Sequence, residues 1–390
     1  MVKVSRRGAD RLPVRRRNHR FGLLCLVACA SAAALLAPAA GARQTATSWA
    51  QTQIQEVVAA GLMARNVASF HANDPLTQAE LDELLPALPS ELATEPDTTT
   101  DPTSTDPTST TPSGPPPGSP KPGAQVTVGA FDAALVDRLG LTGAATRFRD
   151  AVRLAGLTPP KRFGTETVAR LLGLRTNHPA WQDNLELLPT DPITRAEAAY
   201  SVAEVLSFGG GEAQRVEDVS YEFTPPVLNN WQKRILNYAV SFTGYPYIWG
   251  GSSPNKQTVF GRTVSGGFDC SGFVWRVYKL RQYPGGGSLS GTIRGRTTFT
   301  MSVEVPSSKR IGFNALQPGD VIFFGAAGPR SKAWQINHTA IYLGDNWFIQ
   351  SSGEGVDVVP LEGWYQKRFA WGRRPLAEAG LVNVYSVAGS

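Results

Sequence analysis

The stretch Gly266-Gly267-Phe268-Asp269-Cys270-Ser271-Gly272-Phe273-Val274 decides the reading of this chain. Two glycines end a loop, and apolar residues then recur at helical spacing (Phe273, Val274, Val277, Tyr278). Cys270 therefore opens a helix. At that place it feels the positive end of the dipole and the unpaired amides of the first turn. Both lower a thiol from about 8.5 toward neutrality, so the expectation is a thiolate at neutral pH. The chain has 390 residues and three cysteines. The other two, Cys25 and Cys29, lie in a segment that reads as removable, which leaves Cys270 as a lone thiol and the first candidate for chemistry.

A base for this thiol is found by elimination. Of the four histidines, His19 lies near the N-terminus, His71 and His178 lie in an acidic half, and His338 alone follows Cys270. His338 opens the alternating run Thr339-Ala340-Ile341-Tyr342-Leu343, a strand pattern that holds a side chain rigidly. A base of this kind needs a third group to fix its tautomer and ring orientation. Gln350 ends the next apolar run, Trp347 to Gln350, and its amide oxygen can accept the ring N–H of His338. Two further segments stand out: Gly244-Tyr245-Pro246-Tyr247-Ile248-Trp249-Gly250-Gly251, after a helical stretch from Asn230 to Phe242, and Leu316-Gln317-Pro318-Gly319-Asp320-Val321-Ile322-Phe323-Phe324.

In this order, the four elements G-x-P-Y-x-W-G-G, F-D-C-S-G, L-x-P-G-D-x-x-F-F and H-x-x-x-Y-x-G resemble the NlpC-type papain-like cysteine peptidases that cut the stem peptides of bacterial peptidoglycan. The resemblance spans residues 231–376. It implies an α+β fold in which a helix carrying the cysteine packs on an antiparallel sheet carrying the histidine. It makes Cys270 the nucleophile and His338 the general base, and puts Gln350 where the family carries a third polar residue, frequently His. It implies that Tyr247 and the Cys270 amide stabilise the oxyanion, and that Asp269 and Ser271 recognise the free amine of the stem peptide's first alanine. Trp249 is either a subsite wall or core. Asp320 is expected to shape a turn. The loops 284–290 and 325–337 depart from the family pattern where they would border a cleft, so substrate preference does not transfer. The implied reaction cuts the γ-D-glutamyl–diaminopimelate bond through a thioacyl-enzyme. An amidase or acyltransferase on the same scaffold stays open, because an acceptor other than water can resolve a thioester; so does a non-catalytic wall-binding protein. One cysteine and one histidine give no metal-ligand spacing, so neither a metal nor an organic cofactor is expected.

Working outward, the formal charge of +6 describes no part of the molecule. Residues 1–42 hold eight basic groups and one acidic, residues 43–228 hold 13 and 23, and residues 229–376 hold 17 and 7. The first block has a basic start, an apolar run from Phe21 to Leu36 and the small residues Ala40-Gly41-Ala42, the order of a secretory signal peptide. Leu26-Val27-Ala28-Cys29 also resembles a lipoprotein signal, so membrane attachment is expected only if Cys29 is lipidated. Residues 94–123, with nine Pro and nine Thr, read as a stiff spacer.

On either side of the spacer, Asp74-Pro75-Leu76-Thr77-Gln78-Ala79-Glu80 and Asp191-Pro192-Ile193-Thr194-Arg195-Ala196-Glu197 share the Thr-to-Glu spacing that opens a capped helix. Helix, loop and T-x-A-E helix resemble S-layer homology modules, which implies binding to anionic wall polymers. The expected organisation is thus a signal (1–42), a helical module (43–93), the spacer (94–123), a second helical region (124–208), a connector (209–228), the peptidase domain (229–376) and a tail (377–390). The scattered basic residues of the peptidase region form no nucleic-acid motif, so the expected partner is an exported wall substrate, not nucleic acid. The 42% apolar and 18% charged content suits packed domains and excludes a disordered chain.

Overall fold

The computed structural model describes residues 48–90 and 121–381. The expected signal, the Cys29 lipidation motif, nearly all of the spacer and the tail beyond residue 381 lie outside the described residues. The first half is helical: α1 (Gln51–Ala59), α2 (Gln78–Leu84), α3 (Val128–Arg138), α4 (Thr142–Leu154), α5 (Phe163–Leu171), α6 (Arg195–Leu206) and α7 (Glu212–Glu222).

The two T-x-A-E elements have a third, unexpected counterpart at Gln125-Val126-Thr127. Thr77, Thr127 and Thr194 each cap a helix by accepting the amide three residues on. The residues before them close a ring of backbone bonds, each of 2.9 Å: Leu76 N–H to Ile193 C=O, Ile193 N–H to Val126 C=O, and Val126 N–H to Leu76 C=O. The middle copy was hidden because Ala130 stands where a Glu completes the box and no Asp-Pro precedes it. Pro122, at the end of the expected spacer, accepts from Ala79, and Ala124 just beyond it accepts from Gln78.

The second half begins with α8 (Asn230–Val240), opened by a capping box between Asn229 and Gln232. Short pairs follow, β1 (Ser252–Ser253) with β4 (Gly267–Phe268) and β2 (Gln257–Val259) with β3 (Arg262–Val264). Next comes α9 (Cys270–Trp275), which runs into a π turn at Arg276–Leu280. A five-stranded antiparallel sheet completes the fold, ordered β8 (Gly355–Pro360), β7 (Trp347–Ser352), β6 (Ile336–Gly344), β5 (Val321–Gly325) and β9 (Phe369–Arg373). This is the α+β arrangement the sequence implied, with the cysteine helix packed on β6 and β7.

The region expected as a connector, 209–228, contains α7, whose Ser220 and Glu217 hold Arg147 of α4. The two halves pack on each other. Phe148 of α4 and Phe223 lie edge-on to Trp347 of β7, with centroids 5.7 and 4.8 Å away. One hydrophobic core runs from Ile54 and Phe131 through Trp347 and Val358. Arg162 and Arg170 of α5 donate to the carbonyls of Ser241, Thr243 and Gly244. Gly244, at φ +96°, has no room for a Cβ, which would lie 2.7 Å from the Glu166 carboxylate.

Candidate active site

Cys270 is the first residue of α9 and is 8% exposed; among the described residues it is the only free cysteine. Its helix starts there because Asp269, in extended backbone, caps it by accepting from the Gly272 amide. Gly272 lets the turn Gly250-Gly251 approach: a Cβ there would sit 1.9 Å from the Gly251 oxygen.

The expected thiolate is not what this environment favours. Burial first, and the neighbouring Asp269 carboxylate second, push the thiol up to about 12. The amides of Thr339 and Ser271 and the Arg296 guanidinium act the other way without overcoming this. At the start of α9 its own capping carboxylate opposes the positive end of the helix.

His338 lies on β6 opposite Phe324 of β5, its ring 5.5 Å from the Phe324 ring. Thr339, whose amide acts on the Cys270 sulfur, is the next residue, so α9 and β6 bring thiol and imidazole into one site. Gln350 on β7 is fully buried, with Oε1 2.7 Å from His338 Nε2. Its amide group donates to the Tyr365 hydroxyl at 2.8 Å and also bonds Asp357, its cross-strand partner. Two acceptors on the nitrogen side turn the oxygen toward the imidazole. His338 therefore carries its proton on Nε2 and keeps the Nδ1 lone pair for a proton transfer. Burial lowers its pKa to about 4; the Gln350 bond raises it, and Arg368 lowers it further. Thiol and imidazole thus rest as a neutral pair.

Tyr247 forms a parallel bridge with Phe268, immediately before Asp269-Cys270. Burial, then Cys270 and Asp269, hold its hydroxyl protonated far above the usual phenol range, as a donor beside the sulfur needs. Trp249 is 56% exposed, which rules out the core alternative. Asp320 accepts from the Gln317 amide and pairs with Arg374 at 2.8 Å, the turn-shaping role expected of it.

Sequence reasoning missed four residues. Arg296 donates to Asp269, to the Ser271 hydroxyl (2.8 Å) and to the carbonyls of Gly250 and Gly251. Asp269 also accepts from Ser271 and Gly250, so both its oxygens are engaged and its charge is neutralised. A substrate ammonium would have to compete with Arg296 for the two residues expected to bind it. Tyr365, Asn177 and Asp183 were the others. None carries a local signal, since each reaches the site from a distant part of the chain.

The NlpC/P60 family model matches residues 244–374. These residues are an NlpC/P60 domain. Murein DD-endopeptidase MepH of Escherichia coli is 32% identical over 36% of this chain and 45% of its own length. The γ-D-glutamyl-L-lysine dipeptidyl-peptidase of Bacillus cereus is 31% identical over 36% of this chain and 36% of its own. The crystal structure of an NlpC/P60 family protein from Bacillus cereus aligns at TM-score 0.29 and 28% identity, covering 37% of this chain and 40% of that one. The chain thus spans less than half the length of these relatives. Among the described residues, no helix is long and apolar enough to cross a membrane.

Proposed function

We propose that this chain is an exported, wall-associated peptidoglycan endopeptidase that cleaves stem peptides at the γ-D-glutamyl–diaminopimelate bond. The observation that carries the reading is the Cys270 thiol at the start of α9, bonded by the amide of Thr339, the neighbour of a His338 imidazole whose tautomer is set by Gln350. In this mechanism Nδ1 of His338 takes the thiol proton as sulfur attacks the scissile carbonyl. The hydroxyl of Tyr247 and the amide of Cys270 donate to the oxyanion, each donor contributing about 3 kcal/mol to the transition state. The imidazolium returns the proton to the leaving amine, and water, deprotonated by the same base, releases the acyl group. A substrate carbonyl is needed to draw the proton across, because burial opposes both charges in the resting pair.

Purified sacculi incubated with the chain should release muropeptides with new amino and carboxyl ends, read by mass spectrometry. Cys270→Ala should release none; release at the wild-type rate would overturn the mechanism.

The reading extends to the first half. A groove of about 610 Å³ is lined by Ser69, His71, Asp74, Pro75, Thr77, Glu80 and Arg195, between two of the three capped elements. We propose it as the seat of an anionic wall polymer, with Arg195, which also pairs with Glu80, as the cationic group. Ser69→Trp, which fills the groove from an exposed position, should weaken sacculus pull-down of the Cys270→Ala chain. Unchanged binding would remove this role.

A further inference from the structure

The segment between α5 and α6 passes from the helical half to the loops around Cys270. Behind it, His178 sits between Glu186 (Nδ1 to Oε1 3.1 Å) and Glu197 (Nε2 to Oε1 3.2 Å), while Arg175 holds Glu197 at 3.1 Å. All four are buried, so the segment is fixed from within its own half.

In front, two side chains reach across to the NlpC/P60 domain. Asn177 Oδ1 accepts from the Tyr247 amide at 2.9 Å, its Nδ2 donates to the Ser352 carbonyl at 2.8 Å, and its own amide donates to Gly353 at 2.9 Å. Asp183 Oδ2 accepts from the Trp249 amide at 3.0 Å. Arg262 returns a bond to the Ala180 carbonyl at 2.8 Å.

Backbone direction explains why these acceptors matter. The run Pro246–Ile248 pairs with Phe268, with Ile248 donating to Phe268 and Phe268 donating to Pro246. Alternate amides of an extended run face opposite ways, so Tyr247 and Trp249 turn theirs away from that partner. Both would be unpaired against the helical half without Asn177 and Asp183. The same Asn177 side chain ties the Tyr247 run to the turn two residues beyond Gln350. It thereby joins the loop of the proposed oxyanion donor to the strand that orients His338.

We propose that Asn177 and Asp183 are positioning residues of the peptidase site, so that the helical half completes the site as well as packing against it. This rests on the role assigned to Tyr247 above. A misplacement of about 1 Å at a reacting group costs roughly 100-fold in rate, so partial loosening of Tyr247 should cost about tenfold or more.

The test measures kcat and KM of the full chain on the soluble tetrapeptide L-alanyl-γ-D-glutamyl-diaminopimelyl-D-alanine, below the unfolding temperature of every variant. Asn177→Ala and Asp183→Ala should each lower kcat about tenfold or more, with KM within about threefold. Asp183→Asn, which keeps the acceptor, should restore most of the loss. Combining Asn177→Ala with Tyr247→Phe should cost clearly less than the product of the two, because both act through one hydroxyl. A kcat for Asn177→Ala within twofold of wild type, or purely multiplicative effects in the double variant, overturns the inference while leaving the peptidase reading standing. A Cys270→Ala chain that still cleaves, or a Tyr247→Phe chain at wild-type kcat, overturns the reading itself and the inference with it.

Discussion

Replacing Gln350 by Ala removes the acceptor of His338 and the donors to Tyr365 and Asp357 from the fully buried end of the site. The His338 Nε2–H then faces an empty space where Oε1 stood 2.7 Å away, and the hydroxyl of Tyr365 loses a donor at 2.8 Å. A buried polar group deprived of its partner costs about 1–3 kcal/mol. In this site that energy separates the tautomer with Nδ1 free from its rival. At about 1.4 kcal/mol per tenfold, the loss corresponds to about 5- to 150-fold in kcat. KM should change little, since Gln350 is covered by β6 and β8 and touches no solvent. Gln350→Asn, with the same group on a shorter arm, should fall between. The assay is tetrapeptide cleavage at pH 7, with the thermal midpoint measured alongside to keep the comparison among folded proteins. A Gln350→Ala chain with kcat within twofold of wild type would refute the argument that this amide sets the tautomer.

Other outcomes follow from the same geometry. With the Cys270 thiol near 12, alkylation by iodoacetamide should be slow at pH 7 and rise about tenfold per pH unit up to pH 10; a rate flat from pH 6 to 9 would mean a preformed ion pair. With His338 near 4, kcat/KM should stay level down to about pH 5 and fall only below it; an acid limb near 6.5 would place the imidazole in water. The sign for stability follows. As pH drops from 6.5 to 4 the unfolded chain binds a proton at this histidine that the folded chain refuses, so stability falls, by about 3 kcal/mol. His338→Asn should therefore gain thermal stability relative to wild type between pH 7 and 4.5; a constant difference would contradict the low pKa. Trp347→Ala, which empties the space beside Phe148 and Phe223, should cost about 3–5 kcal/mol in a single unfolding transition. Two separate transitions would show that the halves fold apart.

Much of the site was legible because its signals are local. The helix spacing after Cys270 and the strand-like run after His338 are both read within ten residues, and the structure puts a helix and a strand there. The ionisation of Cys270 was not legible. It depends on how deeply the sulfur is buried and on the closeness of Asp269, and helix position alone points the opposite way. Arg296 illustrates a second kind of blindness. Arg-Gly-Arg-Thr-Thr looks like a surface loop, and only the tertiary contact with Asp269 and Ser271 shows that it occupies the expected ammonium site.

By itself the sequence determined the catalytic candidates, the α+β class of the second half, the opposed charge blocks and two of the three capped elements. The α+β class came from the resemblance carried by the four motifs; the others depend on period, composition and capping chemistry, which act over a few residues. Only the tertiary structure decided that the third element closes a ring, that the two halves share a core through Phe148, Phe223 and Trp347, and that Asn177 and Asp183 hold the loop of Tyr247. Those contacts join residues 50 to 199 positions apart. Nothing in a local pattern encodes such a distance, because a buried amide can be satisfied by any acceptor that the fold brings to it.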